Sequence, residues 1–116
     1  MRFSSISLGL LLAGAVAAAA AHHGWSGYDA DKPLTLTGTI KQSGYEHPHG
    51  FVQLQTPDKQ WLVVLAPPYR MENRGLAREL LKPGVQATVV GYPHKSEANE
   101  MRAERITIAD KTVELR

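Results

Sequence analysis

The sequence predicts an all-β protein with one short helix, and three observations lead to that class. Short segments along the chain alternate apolar and polar residues, which is the period of a half-buried strand. Glycine and proline separate these segments and mark turns. One segment, between the third and fourth strands, has helical spacing. The order β-β-β-α-β-β predicts a small OB-like five-stranded β-barrel, with a small open sandwich as the alternative.

Residues 1–21 have the composition of a signal peptide. Arg2 supplies a basic start, residues 6–16 form an apolar run, and the alanines that follow offer A-x-A cleavage sites. The apolar run is too short to predict a membrane span. We therefore expect a periplasmic or secreted protein, cleaved after Ala20 or Ala21 and without a membrane span thereafter.

The mature chain is predicted to contain an extended N-terminal arm over residues 22–33 and one barrel domain over residues 34–116. The arm is polar and has no apolar period, and Trp25 and Tyr28 are suited to pin it to the domain. The whole chain has 13 Lys and Arg against 11 Asp and Glu, with no cysteine. This composition excludes thiolate metal sites and thiol nucleophiles. The near-neutral charge and the expected export argue against nucleic acid as a partner.

Three strands are predicted before the helix. Residues 34–40 alternate Leu or Ile with Thr, and Gly38 marks a site for a bend or bulge. Residues 51–55 form the second strand, and a tight turn at residues 56–59 leads to the third. The third strand, residues 61–66, is almost continuously apolar, so we expect it to be buried on both faces.

Residues 72–81 are the helical segment. Leu76 and Leu80 are four residues apart and share a helix face, whereas Gly75 lowers helix stability by about 1 kcal/mol relative to Ala. Lys82-Pro83-Gly84 ends the helix. A basic stripe at four-residue spacing accompanies it, made of Arg70, Arg74 and Arg78.

Two longer strands and a short one are expected after the helix. The fourth strand, residues 85–89, alternates and is closed by Gly91-Tyr92-Pro93. The fifth, residues 101–108, loses its alternation near Arg105, which predicts a bulge. Residues 113–115 form a short closing strand.

Several short motifs occur in order along nearly the whole mature chain. They are His22-His23, the run from Lys32 to Gly38, Pro48-His49, Arg74-Gly75-Leu76, Leu81-Lys82-Pro83-Gly84, the run from Val89 to Pro93, and Arg102-Ala103. Together they resemble the small exported bacterial proteins of the uncharacterised domain-of-unknown-function family 6152. The resemblance implies an OB-like barrel and no established activity, so no catalytic residue is carried over. The family reads Asn-Pro-His where this chain has His47-Pro48-His49, so a role of His47 is particular to this chain.

The predicted mature N-terminus carries two metal-ligating side chains, His22 and His23. Cleavage after Ala21 makes His22 the first residue, and its amine and ring then chelate one ion in a brace that a third histidine completes. Cleavage after Ala20 puts His23 in third place, where the amine, two backbone amides and the imidazole form a square-planar site. Both arrangements suit copper. The alternative is a disordered tail in which these histidines are only polar.

His47 and His49 form the second pair. In an extended segment they share a face, and two imidazoles on one face hold a first-row metal such as copper. The alternative is a turn into the second strand, with His49 hydrogen-bonded as a structural residue. His94, in the loop after the fourth strand, is a weaker candidate. The sequence thus predicts a metal-binding protein with His22, His23, His47 and His49 as ligands.

A different class of function is also consistent with the sequence. OB barrels bind ligands on an aromatic face, so Tyr69, Tyr92 and Arg74 are candidates to bind a peptide, a glycan or a periplasmic partner protein. Trp61 lies in the most apolar strand and is expected in the core. No G-x-S-x-G elbow, phosphate loop or H-E-x-x-H motif is present. We therefore expect a binding protein rather than an enzyme.

Overall fold

The computed structural model of the protein describes residues 24–116, so the predicted signal peptide and the His22-His23 pair lie outside the described residues. The described chain contains one short α-helix and is otherwise mainly β-structure. Its elements are β1 (Leu34–Gly44), β2 (Phe51–Gln55), β3 (Gln60–Val64), α1 (Pro68–Asn73), a 3-10 helix (Arg78–Leu81), β4 (Gln86–Pro93), β5 (Glu100–Ile108) and β6 (Lys111–Glu114).

Five of the strands close into a barrel, as the sequence predicts. β1 pairs antiparallel with β2 on one side and β4 on the other. β2 continues to β3, and β4 continues to β5, both antiparallel. The parallel pairing of β3 with β5 closes the barrel. β6 forms a hairpin with β5 and extends the sheet beyond the closed barrel.

Two bulges give the strands the curvature that closure requires. In β1 the register shifts between Ile40 and Gln42. In β5 it shifts where Val90 pairs with Arg105 and Gly91 pairs with Ala103. The second bulge confirms the slip predicted near Arg105.

The core fills the barrel interior and the space beneath α1. Trp61 is 8% exposed and belongs to it, as expected from the sequence. Other fully buried members come from the strands and from both sides of the helix: Ile40, Val52, Leu54, Val63, Leu65, Met71, Leu76, Leu81, Val89, Met101 and Ile106. The core therefore ties the helical segment to the barrel.

The predicted helix over residues 72–81 is wrong in its bounds. α1 spans Pro68–Asn73, with proline in its first turn, where its fixed backbone angle is favourable. Gly75 adopts a φ of 90°, and the Leu76 amide donates to the Met71 carbonyl at 2.8 Å. This is the hydrogen bond of a Schellman motif, which ends a helix at a left-handed glycine.

The basic stripe predicted along one helix is therefore divided. Arg70 lies on α1, and Arg74 caps its C-terminus. Both reach the C-terminal segment: Arg70 donates to the Leu115 carbonyl at 3.0 Å, and Arg74 to the Glu114 carbonyl at 2.9 Å. Arg78 begins the separate 3-10 helix. Arg70 and Arg74 thus connect the α1 region to the C-terminal segment.

The arm also differs from its prediction. Residues 22–33 are predicted to be extended, whereas residues 24–32 fold mainly into turns. Tyr28 forms an antiparallel bridge with His94, and the Asp29 amide donates to the Pro93 carbonyl at 2.9 Å. The arm thus attaches to the end of β4. Within residues 24–116, no helix is long and apolar enough to cross a membrane.

Candidate functional site

A polar cleft of about 380 Å³ lies where the N-terminal turn meets two loops of the barrel. The loops are those between β1 and β2 and between β4 and β5. The corresponding loops of OB barrels carry ligand sites. The cleft is lined by Gly24, Gly27, Tyr28, His49, Val64, His94, Ser96, Glu97, Glu100 and Arg102.

Arg102 is the buried charge of the cleft, with 7% of its surface exposed. Its Nη1 donates to the Gly24 carbonyl at 2.6 Å, and its Nη2 lies 3.3 Å from His49 Nε2. The guanidinium carbon lies 4.3 Å from the centre of the Trp25 ring, in a cation–π contact. Burial lowers the pKa of Arg102, and its buried Nε has no hydrogen-bond partner.

The surroundings of His49 favour its neutral form. Its pKa is lowered by burial first, and then by the positive charges of Arg102 and Arg70. Since Arg102 is only a donor, His49 Nε2 must accept in that contact. Nε2 of His49 therefore carries no proton, and its lone pair accepts from the Arg102 guanidinium.

His94 is oriented by its own loop. Its Nδ1 accepts the backbone amides of Ser96 and Glu97 at 3.1 and 3.0 Å. In a neutral ring this assigns the proton to Nε2. An added Cβ on Gly27 would lie 3.6 Å from that nitrogen, so the N–H end of the ring faces the N-terminal turn.

Aromatic contacts fix the N-terminal turn over the cleft. The Tyr28 hydroxyl donates to Glu100 Oε2 at 2.6 Å, and burial together with this carboxylate raises the pKa of Tyr28. Trp25 packs edge-on against Tyr28 and Tyr92, with ring centres 6.3 and 6.1 Å apart. The described turn is thus anchored through both of its aromatic residues.

The two members of the His47-Pro48-His49 motif have different surroundings. The segment between β1 and β2 is a bend rather than an extended strand, so the argument for a shared face does not apply. His49 lines the cleft, whereas His47 is exposed and is not among the lining residues. Within residues 24–116, no three His, Cys, Asp or Glu side chains are grouped closely enough to hold a metal.

Tyr69, Tyr92 and Arg74, predicted as a ligand-binding set, have separate environments. Tyr69 is 59% exposed. Tyr92 packs on Trp25, and its hydroxyl lies 3.5 Å from Glu104. Arg74 donates to the Glu114 carbonyl. Two of the three side chains therefore make contacts within the domain.

Sequence reasoning did not find Arg102 or Glu100 as site residues. The local pattern gave no signal, because a polar residue such as Arg102 between two apolar residues of a strand, here Met101 and Ala103, is expected on the exposed face. All three are buried, and a buried arginine needs partners. Its contacts with residues 24 and 49 are separated by 78 and 53 positions, which no local pattern reveals.

The fold and the site define a small closed β-barrel protein with a polar cleft among its loops. The chain belongs to a family of unknown function, DUF6152, which matches residues 10–102. No curated protein matches the chain at a significant level.

Solved structures of TiaS, a tRNA agmatidine synthetase, are similar to this chain. The complex with tRNA and ATP has a TM-score of 0.53 at 22% identity, covering 77% of this chain and 20% of the other. A ZRD-deleted mutant with agmatine has a TM-score of 0.56 at 18% identity, covering 75% and 27%. The apo enzyme has 0.51 at 17%, covering 71% and 19%. The chain thus spans about a fifth to a quarter of these proteins, and the similarity concerns the fold alone.

Proposed function

We propose that the protein is exported and that its mature N-terminus and His49 together bind copper or a similar first-row metal. One observation carries this proposal. The guanidinium of Arg102 contacts both the Gly24 carbonyl, at 2.6 Å, and His49 Nε2, at 3.3 Å. The residue that directly follows the His22-His23 pair is therefore held beside the cleft histidine.

Covalent geometry limits how far the N-terminal histidines lie from the cleft. Consecutive Cα atoms are about 3.8 Å apart. His23 is the neighbour of Gly24, and His22 is one residue further, within about 7.6 Å of it between Cα atoms. Gly24 itself lines the cleft. We therefore propose that a metal held by residues 22 and 23 is also ligated by His49.

The donor set fits copper for either cleavage position. After cleavage at Ala21, the amine and ring of His22 supply two nitrogens, and His49 supplies a third. After cleavage at Ala20, His23 in third place completes a square-planar set, beside which His49 is an additional ligand. Nitrogen donors in tetragonal geometry are the preferred environment of Cu(II).

His49 has the protonation state that metal binding requires. A metal binds the neutral imidazole, and the lowered pKa keeps His49 neutral. Its contact with Arg102, at 3.3 Å, is long for a hydrogen bond, so a metal can replace it at Nε2. His94 is less suited, because its Nδ1 already accepts two backbone amides. We propose storage, delivery or buffering of the metal as the role.

Titration of the processed, metal-free protein with Cu(II) tests this function. We expect one stoichiometric site, and we expect His49→Ala to weaken it by about 10-fold or more. His47→Ala is the matched control, because it removes an exposed imidazole from the same loop. Equal affinity in the His49→Ala variant and the parent would contradict the assignment. Weak, non-stoichiometric uptake by the parent would contradict the function itself.

A further inference from the structure

Arg102 is a buried cation without an anionic partner. It forms no ion pair with any carboxylate in residues 24–116, where the four ion pairs involve other residues. Residues 1–23 contain no Asp or Glu, so that segment supplies no acidic side chain. The neighbouring charges of Arg70 and Arg116 are also positive. Buried charges are normally paired, yet no carboxylate of residues 24–116 forms an ion pair with this guanidinium, although Glu97 and Glu100 line the same cleft.

The guanidinium has donors left for a ligand. Nη1 and Nη2 each carry two N–H groups, and each nitrogen has one neighbour in the structure, the Gly24 carbonyl and His49. One N–H on each terminal nitrogen therefore has no partner among these contacts, and guanidinium N–H groups bind carboxylates through charge-assisted hydrogen bonds. The Trp25 ring, 4.3 Å from the guanidinium carbon, restricts the orientation of the Arg102 guanidinium.

A second donor points to the same class of ligand. His94 lines the same cleft, and its Nδ1 is occupied by two backbone amides. The ring therefore presents an N–H, not a lone pair, at Nε2. Two residues that line the cleft, Arg102 and His94, thus both offer hydrogen-bond donors.

We propose that this cleft binds a small monocarboxylate, with Arg102 holding the carboxylate and His94 donating a further hydrogen bond. The cleft volume of about 380 Å³ leaves room for more than a single water. Glu97 and Glu100 also line the cleft, and their charges disfavour a ligand with more than one negative charge. This site requires no metal, and the proposal is independent of the copper function.

Titration of the processed, chelator-treated protein with sodium acetate tests the proposal by ¹H–¹⁵N NMR. We expect saturable shifts in the amides of residues 24–28 and 94–102, with chloride at equal ionic strength causing none. Phosphate is the second probe. Because it carries more negative charge than acetate, Glu97 and Glu100 should repel it more strongly, and it should bind more weakly. Absence of saturable acetate binding, or tighter binding of phosphate than of acetate, would overturn the proposal.

Two variants separate binding from folding. Arg102→Lys keeps the charge but loses the planar fork, and we expect about 10-fold weaker acetate binding. Arg105→Lys, on the same strand in an exposed pair with Glu114, is its matched control. His94→Asn keeps an acceptor for the loop amides but loses the Nε2 donor, so binding should weaken by about 3- to 10-fold. Unchanged affinity in a folded Arg102→Lys or His94→Asn protein would refute the assigned roles.

Discussion

Arg102 connects three parts of the chain that are distant in sequence. Its two terminal nitrogens contact the Gly24 carbonyl and His49, and its plane packs on Trp25. Tyr28 acts beside it, since its hydroxyl donates to Glu100 on β5 at 2.6 Å. The shape of the cleft therefore depends on a few polar contacts made by the N-terminal turn.

At the residue scale, Tyr28→Phe should destabilise the protein by about 1 kcal/mol, because Glu100 loses a hydrogen-bond donor. Thermal unfolding should show a melting temperature lower by about 4–8 °C. Tyr69→Phe is the control, since Tyr69 is 59% exposed. An unchanged melting temperature for Tyr28→Phe would show that the bond contributes nothing.

The pKa of Tyr28 predicts an alkaline transition as well. The pKa is raised in the folded state, so the stability from its protonated form is complete below the ordinary tyrosine pKa, about 10. It is lost as the pH rises through the folded pKa. Denaturant midpoints measured at increasing alkaline pH should fall less steeply in Tyr28→Phe than in the parent. Parallel curves would contradict this linkage.

At the scale of elements, the strands are predictable because one face of each is buried. The alternation of residues 34–40 and the slip near Arg105 both correspond to observed features, β1 and the β5 bulge. The predicted helix bounds are wrong because Gly75 was counted only as a weak helix former, whereas its left-handed conformation ends α1. The arm was misjudged because its pairing with the end of β4 is a long-range interaction without a local signal.

Gly91→Ala tests how the β5 bulge supports the cleft. A Cβ on Gly91 would lie 1.9 Å from the Arg102 carbonyl oxygen, and backbone on both strands would have to move. We expect a loss of about 3 kcal/mol or more in the free energy of unfolding. Gly27→Ala is the matched control, because its Cβ would meet His94 at 3.6 Å, an ordinary contact. Similar stability of the two variants, measured by urea unfolding, would refute this view of the bulge.

The candidate site was predictable only in part. The motif His47-Pro48-His49 identified His49, but the separation of the two histidines follows from the bend between β1 and β2. Arg102 was missed, since its role arises only when residues 24 and 49 are brought to β5. The local sequence pattern shows which residues have side chains that bind ligands. The topology of the barrel decides which of these residues meet in the cleft.

At the scale of the whole molecule, the proposed copper site depends both on cleavage of the signal peptide, which creates the N-terminal amine, and on the barrel cleft, which contains His49. The turn that begins at Gly24 is anchored by Trp25 and Tyr28, and under the proposal His49 and the N-terminus formed by cleavage ligate the same ion. Both proposed donor sets use the free amine that cleavage creates, so the uncleaved chain lacks one of the proposed ligands.

Acetylation of the mature N-terminal amine should therefore weaken Cu(II) binding by about 10-fold or more for either cleavage position, because the amine is a ligand in both donor sets. Affinity should also fall from about pH 7 to about pH 5, because amine and imidazole must be deprotonated to bind. Calorimetric titration checks both, with thermal unfolding to confirm that the fold is kept. An affinity that is independent of pH would contradict nitrogen ligation.

The most direct test of the central claim is the ¹H–¹⁵N NMR spectrum of the processed protein with and without one equivalent of Cu(II). The paramagnetic ion broadens signals close to it. We predict loss of the amide signals of His49, His94 and Arg102, while those of residues 108–111, about 20 Å away along β5, persist. Broadening confined to the residues before Gly27, with the His49 and Arg102 signals intact, would show that the N-terminus binds copper without the cleft and would contradict the account.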